Sequence, residues 1–285
     1  MKRWVIILLT ALLQEPVWAK NCVSLTVTSD PNYPPISWQD KQNPHRIIGV
    51  AIEIVELAMA DKGVKVESKY KGPWKRVLAS TDSVDMISGL YISEERRALL
   101  HFVQPPFMSD PNVIFVKEGH GFPFKSWEDL KGKKGGARLG DSFGVEFDEF
   151  AKQHLNLERV GQFEQLYGMT MAGRLDYFLY GLYPGISLAE ELNLNRQLEF
   201  LPTPITEEGI YIAFSKTSNC IGYADYLSEK IKQYSKEGLL GELIQKYMAT
   251  WEKQNKPANS PKVNHTTPMQ QPETRLFLLT IPAIL

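Results

Sequence analysis

Two periods of apolar and polar positions take turns along residues 25–214. Residues 25–28 (LTVT) and 64–70 (VKVESKY) read as strands, the latter with alternating sides. Residues 50–60 (VAIEIVELAMA) place apolar side chains three and four apart, the stripe of a helix. Residues 84–88 (VDMIS) form a short, mostly apolar run ending at Gly89. This strand–helix–strand rhythm predicts parallel sheet with covering helices. A second rhythm starts near Val113. Residues 113–116 (VIFV) read as a buried strand, and 126–130 (SWEDL) as a capped helical turn. Strands are predicted over 135–139 and 175–180, helices over 142–154 and 162–172. After 209–214 (GIYIAF), two more helices are predicted, over 223–234 and 239–251.

Both halves carry the same alternation, so the expected fold class is α/β with two lobes. Prolines 105, 106, 202 and 204 interrupt regular structure and bracket a central segment of domain size. The expected organisation is lobe one from 20–108 and 209–252, and lobe two from 109–208. Two crossings between lobes make a hinge, and a cleft between domains is a common place for a small ligand.

The ends read differently. A basic start (Lys2, Arg3), a ten-residue apolar run over 4–13 and small residues at Val17 and Ala19 have the layout of a secretory signal peptide over 1–19. The apolar run is too short to span a bilayer. Residues 253–285 are rich in Pro, Asn, Gln and Thr and are expected to be a disordered tail. Export implies an oxidising compartment, and the expected location is the periplasm. Cys22 and Cys220, the only two cysteines, are then able to form a disulfide; two buried free thiols are the alternative.

Composition narrows the class of function. Of 285 residues, 43% are hydrophobic and 23% charged, as in a globular chain with a sizeable core. A net charge of −1 gives no footprint for nucleic acid. The five histidines show no metal-ligand spacing, so no metal and no cofactor is expected. No Gly-x-Ser-x-Gly elbow occurs, and 132–136 (GKKGG) lacks phosphate-loop spacing.

The strongest site signal is residues 89–97 (GLYISEERR). Ser93 is a good helix N-cap, and Glu94 and Glu95 suit a first turn. Arg96 opposes the helix dipole there, which asks for another reason; an anion in the cleft is one, and pairing with nearby glutamates in solvent is the other.

Residues 85–97 (DMISGLYISEERR) and 101–107 (HFVQPPF) resemble the central signature of the family 3 periplasmic solute-binding proteins, which serve amino-acid ABC transporters. Stretches 30–38, 49–54, 127–134 and 173–176 agree with that family in order and spacing, so the resemblance covers about 24–251. It implies the two-lobed periplasmic-binding-protein type II fold, each lobe a mostly parallel sheet covered by helices. It implies that Arg96 binds a ligand carboxylate, helped by Ser93 and the main chain at Gly89. Tyr33 is expected to form an aromatic wall with Asp30 nearby, and Arg138, Asp141 and Ser142 to face the ligand from lobe two, where the free N–H groups of a turn suit an anion; Asp141 capping the helix is the alternative. Trp74, Tyr91, Tyr180 and Tyr183 could add stacking surface. Two departures stand out. Tyr91 replaces a common ligand-binding threonine, and Gly181 stands near the family's usual amine-binding carboxylate. An anionic or aromatic small molecule is therefore expected as readily as an amino acid. The expected role is capture of a small carboxylate-bearing ligand by a monomer for an inner-membrane ABC permease. The alternatives are an orphan sensory domain and a dehydratase-like enzyme on the same scaffold.

Overall fold

The computed structural model describes residues 22–194 and 196–255. The expected signal peptide, and the tail beyond residue 255, lie outside the described residues. The strands are β1 (Ser24–Thr28), β2 (Asn32–Tyr33), β3 (Ser37–Gln39), β4 (Ile47–Ile48), β5 (Lys65–Ser68), β6 (Met86–Leu90), β7 (Leu100–Phe102), β8 (Met108–Lys117), β9 (Lys134–Arg138), β10 (Asn156–Val160), β11 (Tyr177–Gly181), β12 (Leu198–Phe200) and β13 (Thr206–Ser215). The helices are α1 (Val50–Ala60), α2 (Trp74–Leu78), α3 (Glu94–Leu99), α4 (Val145–His154), α5 (Phe163–Met171), α6 (Leu182–Glu191), α7 (Ala224–Lys236) and α8 (Leu239–Asn255). Residues 253–255 thus continue α8, a correction to a tail starting at Lys253.

The main sheet runs β10-β9-β11-β8-β13-β6-β1-β5, with β12 on β8 and β7 on β13. Its two ends are parallel: β10, β9 and β11 at one, β6, β1 and β5 at the other. The middle is antiparallel, because β8 and β13 return the chain between the halves. Strand β13 does this along its own length. Residues 206–210 pair with β8 and later ones with β6 and β7, and its register shifts between Tyr211 and Ile212.

Helix α1 shows how pattern becomes packing. Its apolar stripe Val50, Ile54, Val55, Ala58 and Met59 is fully buried, each side chain contributing about 1–3 kcal/mol of transfer free energy. The turn at 126–130 forms as a 3-10 helix with a reciprocal capping box between Ser126 and Asp129. Helix α6 has no counterpart in the sequence expectations. Its Tyr183-Pro184-Gly185 reads as a breaker, yet Pro184 sits in the first turn, where its missing N–H has no partner to lose. A disulfide joins Cys22, ahead of β1, to Cys220, ahead of α7, with Cα atoms 5.2 Å apart.

Candidate functional site

Strand β6 delivers the first half of the site. Gly89 has φ +80, and a Cβ there would sit 3.0 Å from Ser29 Oγ and 3.1 Å from Ala51 Cβ, so the backbone turns where a side chain has no room. Ser93 Oγ then accepts the Arg96 main-chain N–H at 3.3 Å and caps α3. The helix turns Arg96 inward, leaving it 6% exposed. Its Nη1 donates to Tyr91 O at 2.6 Å and its Nη2 to Gly140 O at 2.8 Å, and the guanidinium lies 5.4 Å from the Trp74 ring centre. Burial draws its pKa below the ordinary arginine value, against the pull of Asp141, Asp148 and Glu95. Its direct partners are main-chain carbonyls, so its full charge lacks a bonded counter-ion among the described residues.

The second half comes from the end of β9. Arg138 Nη2 donates to Asp30 Oδ2 at 2.6 Å and to Asp141 Oδ1 at 3.1 Å, and its Nε donates to Asp141 Oδ2 at 3.2 Å. The rings of Tyr180 and Tyr33 lie 4.9 and 5.7 Å from this guanidinium. Burial works against the Arg138 charge, but Asp141 and Asp30 more than offset it, so its pKa stands above the ordinary value. Asp30, Arg138 and Asp141, all expected at the ligand site, thus also satisfy one another's charges.

The turn after β9 also differs from its expectation. Helix α4 begins at Val145 behind Gly144 (φ +100), not at Ser142. Ser142 Oγ bonds Asp148, and the Phe143 N–H goes to Asp148 Oδ1 at 2.9 Å. Asp141 pairs with Arg138 rather than capping the helix. Asp148 therefore already occupies donors that an anion at this turn would need.

Except for Ser93, Tyr180 and Tyr183, every ligand-site residue expected from the sequence lines one cavity: Asp30, Tyr33, Trp74, Gly89, Tyr91, Arg96, Arg138, Asp141 and Ser142. The cavity measures about 20 Å³, roughly the room one water needs. A larger guest requires the walls to part. Among the contacts holding them are the Arg96–Gly140 bond, the Arg138–Asp30 ion pair, and the Tyr180 hydroxyl, which donates to Asn32 O at 3.2 Å.

Sequence reasoning missed Asp110 and Asn112 on β8. Asp-Pro-Asn reads as a turn, since all three types are depleted in strands. Here Pro111 is tolerated because pairing with β11 begins only at Asn112, leaving it flanked by β13 alone. Asp110 is wholly buried and accepts from the hydroxyls of Tyr33 at 3.0 Å and Tyr91 at 3.3 Å. Burial pushes its carboxyl up to about 7, against the pull of the Tyr183 main-chain N–H and the two hydroxyls. Burial likewise raises Tyr33 and Tyr91 well above 10, keeping them neutral donors.

Residues 25–250 match the family model described as bacterial extracellular solute-binding proteins, family 3. Among curated proteins, the L-cystine-binding protein TcyJ of Escherichia coli (strain K12) is 28% identical over 176 residues, 60% of this chain and 63% of that protein. The match thus spans less than two thirds of that relative's length. Solved structures share the fold. The amino acid ABC transporter substrate-binding protein AbpA from Streptococcus pneumoniae, bound to L-arginine, superposes with TM-score 0.65 at 22% identity, covering 80% of this chain and 96% of that one. A mutant of ArgBP from T. maritima gives 0.64 at 21% identity, covering 80% and 96%. A histidine kinase sensor domain with similarity to periplasmic binding proteins gives 0.65 at 21% identity, covering 79% and 95%.

Proposed function

This chain belongs to the bacterial extracellular solute-binding proteins of family 3, and we propose that it captures a small carboxylate-bearing molecule, an amino acid or related organic acid, in the cleft around Arg96. The observation that carries this reading is a buried guanidinium whose direct partners are carbonyl oxygens from Tyr91 and Gly140. A carboxylate is the better partner for a planar two-pronged donor, because it supplies both acceptors and the missing counter-charge. The ligand replaces the Gly140 carbonyl on Arg96, and the lobes, 20–108 with 209–252 and 109–208, close over it by hinge motion. Ligand shifts the population by its preference for the closed state.

The closed form, a periplasmic monomer, is then presented to an inner-membrane ABC permease. The curated relative, an L-cystine-binding protein by name, supports an amino acid as ligand, and AbpA, similar in fold, is an amino acid ABC transporter substrate-binding protein. A sensory role is the second reading, supported by a histidine kinase sensor domain of the same fold. A permease gene beside this one favours transport, and a kinase gene favours sensing.

The test is Arg96→Ala measured by thermal shift and calorimetry against amino acids and organic acids. The wild type gains melting temperature with a binding member of that panel. The variant should keep its fold and lose the binding; unchanged affinity would refute the assignment.

A further inference from the structure

Helix α8 touches both halves of the molecule. It packs on α1 and α7, where Lys246 pairs with Glu53, and its last turns also meet α6, which lies on β8 and β11. Trp251 is the joint. It is 6% exposed, its Nε1 donates to Ser187 O on α6 at 3.2 Å, and its ring meets the Trp38 ring of β3 edge-on at 5.4 Å. Trp38 Nε1 in turn donates to Gln254 Oε1 at 2.9 Å. Lys41, just past β3, bridges Glu191 Oε1 on α6 at 3.0 Å and Asn255 Oδ1 at the end of α8. Leu188 and Ala189 of α6 share one buried apolar cluster with both tryptophans. Neither Trp251 nor Lys41, nor Ser187 or Glu191 opposite them, lines the cavity.

The chain itself passes between the halves along β8 and β13. The seam of α8 on α6 is a further link, made by side chains alone. Ser187 and Glu191 stand one turn apart on α6, about 6 Å along its axis. A rotation of one lobe against the other that spares one of these contacts displaces the other, unless its axis runs along α6. Parting the walls at Arg96 and Gly140 therefore costs contacts at the seam as well. The seam also carries an opposing element. Burial raises the carboxyl of Glu190 on α6, and the charge of Glu252 on α8 adds to the rise, so a pair of like charges faces across the two helices.

We infer that the seam between α8 and α6 sets how tightly the cleft holds its ligand, with Trp251 and Lys41 as positioning residues that favour the closed form from outside the cavity. The inference rests on the capture and closure reading above and goes beyond it. Contacts made only in the closed form add to its population, and a ligand that prefers that form gains apparent affinity by the same factor. Affinity is thus adjustable at residues that never meet the ligand.

The test uses the full chain and the tightest-binding member of the amino-acid and organic-acid panel applied to Arg96→Ala. Trp251→Phe keeps an aromatic ring against Trp38 and loses the bond to Ser187 O. It should weaken binding about three- to tenfold, the worth of one buried hydrogen bond, through faster dissociation. Lys41→Glu should weaken binding about threefold, since that pair is partly open to solvent, and adding Glu191→Lys should restore most of the loss. Glu190→Gln removes the repulsion and should tighten binding about twofold, a gain that damage to the fold does not produce. Wild-type affinity in Trp251→Phe, equal affinity in the single and double charge swaps, or no gain in Glu190→Gln overturns the inference. If Arg96→Ala abolishes binding while the seam variants leave it unchanged, capture stands and the seam falls. If no panel member binds the wild type, both fall. Should Trp251→Phe fail to fold, the charge swaps and Glu190→Gln decide in its place.

Discussion

Two buried arginines face one cleft, and their partners could hardly differ more. Arg138 is held by two carboxylates, Asp30 across the cleft and Asp141 three residues on. Arg96 is held by two carbonyls, with the Trp74 ring beside it. Both sites desolvate the cation, but only one supplies full counter-charge within the protein. The comparison separates a strap from a binding group. A satisfied ion pair fixes geometry and has little left for a guest, whereas a cation resting on neutral dipoles gains from meeting an anion.

The sharpest way to break this contrast is Arg138→Met. It leaves Asp30 and Asp141 buried without their cation, and should cost about 3–5 kcal/mol in denaturant unfolding. Adding Asp30→Asn and Asp141→Asn to Arg138→Met should recover much of that loss, because no uncompensated charge then remains. An unchanged midpoint in the single variant would mean that the ion pair is not the strap described.

The sequence disclosed the Arg96 half of this contrast better than the Arg138 half. Arg96 was legible because a cation in a helix's first turn is out of place, and because the surrounding residues resemble a family signature. Helix α1, with its clean helical period, and β6, a short apolar run, were legible for the same kind of reason: local pattern and tertiary role agree. Arg138 was visible as a candidate, but its partner is not local. Asp30 lies 108 positions away, and only the fold brings the two together. Asp110 and Asn112 were hidden by composition, since Asp-Pro-Asn spells a turn and only the neighbours of β8 make it a strand. Helix α6 was hidden in the same way by Pro184 and Gly185; a Cβ on Gly185 would overlap the Phe115 ring, so close packing demands the glycine.

Asp110 sharpens the comparison from the other side, as a lone acid against a lone base. Its folded pKa, about 7, is raised above an ordinary value of 3.8. Its stabilising share is therefore complete at pH below the ordinary value and is lost as pH rises through 7. Asp110→Asn stays neutral throughout. In the absence of ligand, the stability difference between Asp110→Asn and wild type should be near its minimum at pH 4 and widen in the variant's favour towards pH 8. The upper bound on that change is about 4 kcal/mol, from roughly 1.4 kcal/mol per pKa unit. Parallel melting curves across that range would remove Asp110 from the list of titrating groups.

The smallest stability effect should come from Arg96→Met, although the binding effect there is large. The variant keeps an apolar stem against Trp74 and gives up two hydrogen bonds to carbonyls. It also removes a buried cation that has no bonded counter-charge, which offsets part of the loss. A net cost of about 1 kcal/mol follows, well below that of Arg138→Met. Arg96→Lys separates charge from shape. The ammonium retains the positive charge but not the planar fork, so its affinity for a carboxylate should fall between those of wild type and Arg96→Met. Comparable stability losses in Arg96→Met and Arg138→Met would mean that the two guanidiniums do the same structural job, and the distinction between strap and binding group would be lost.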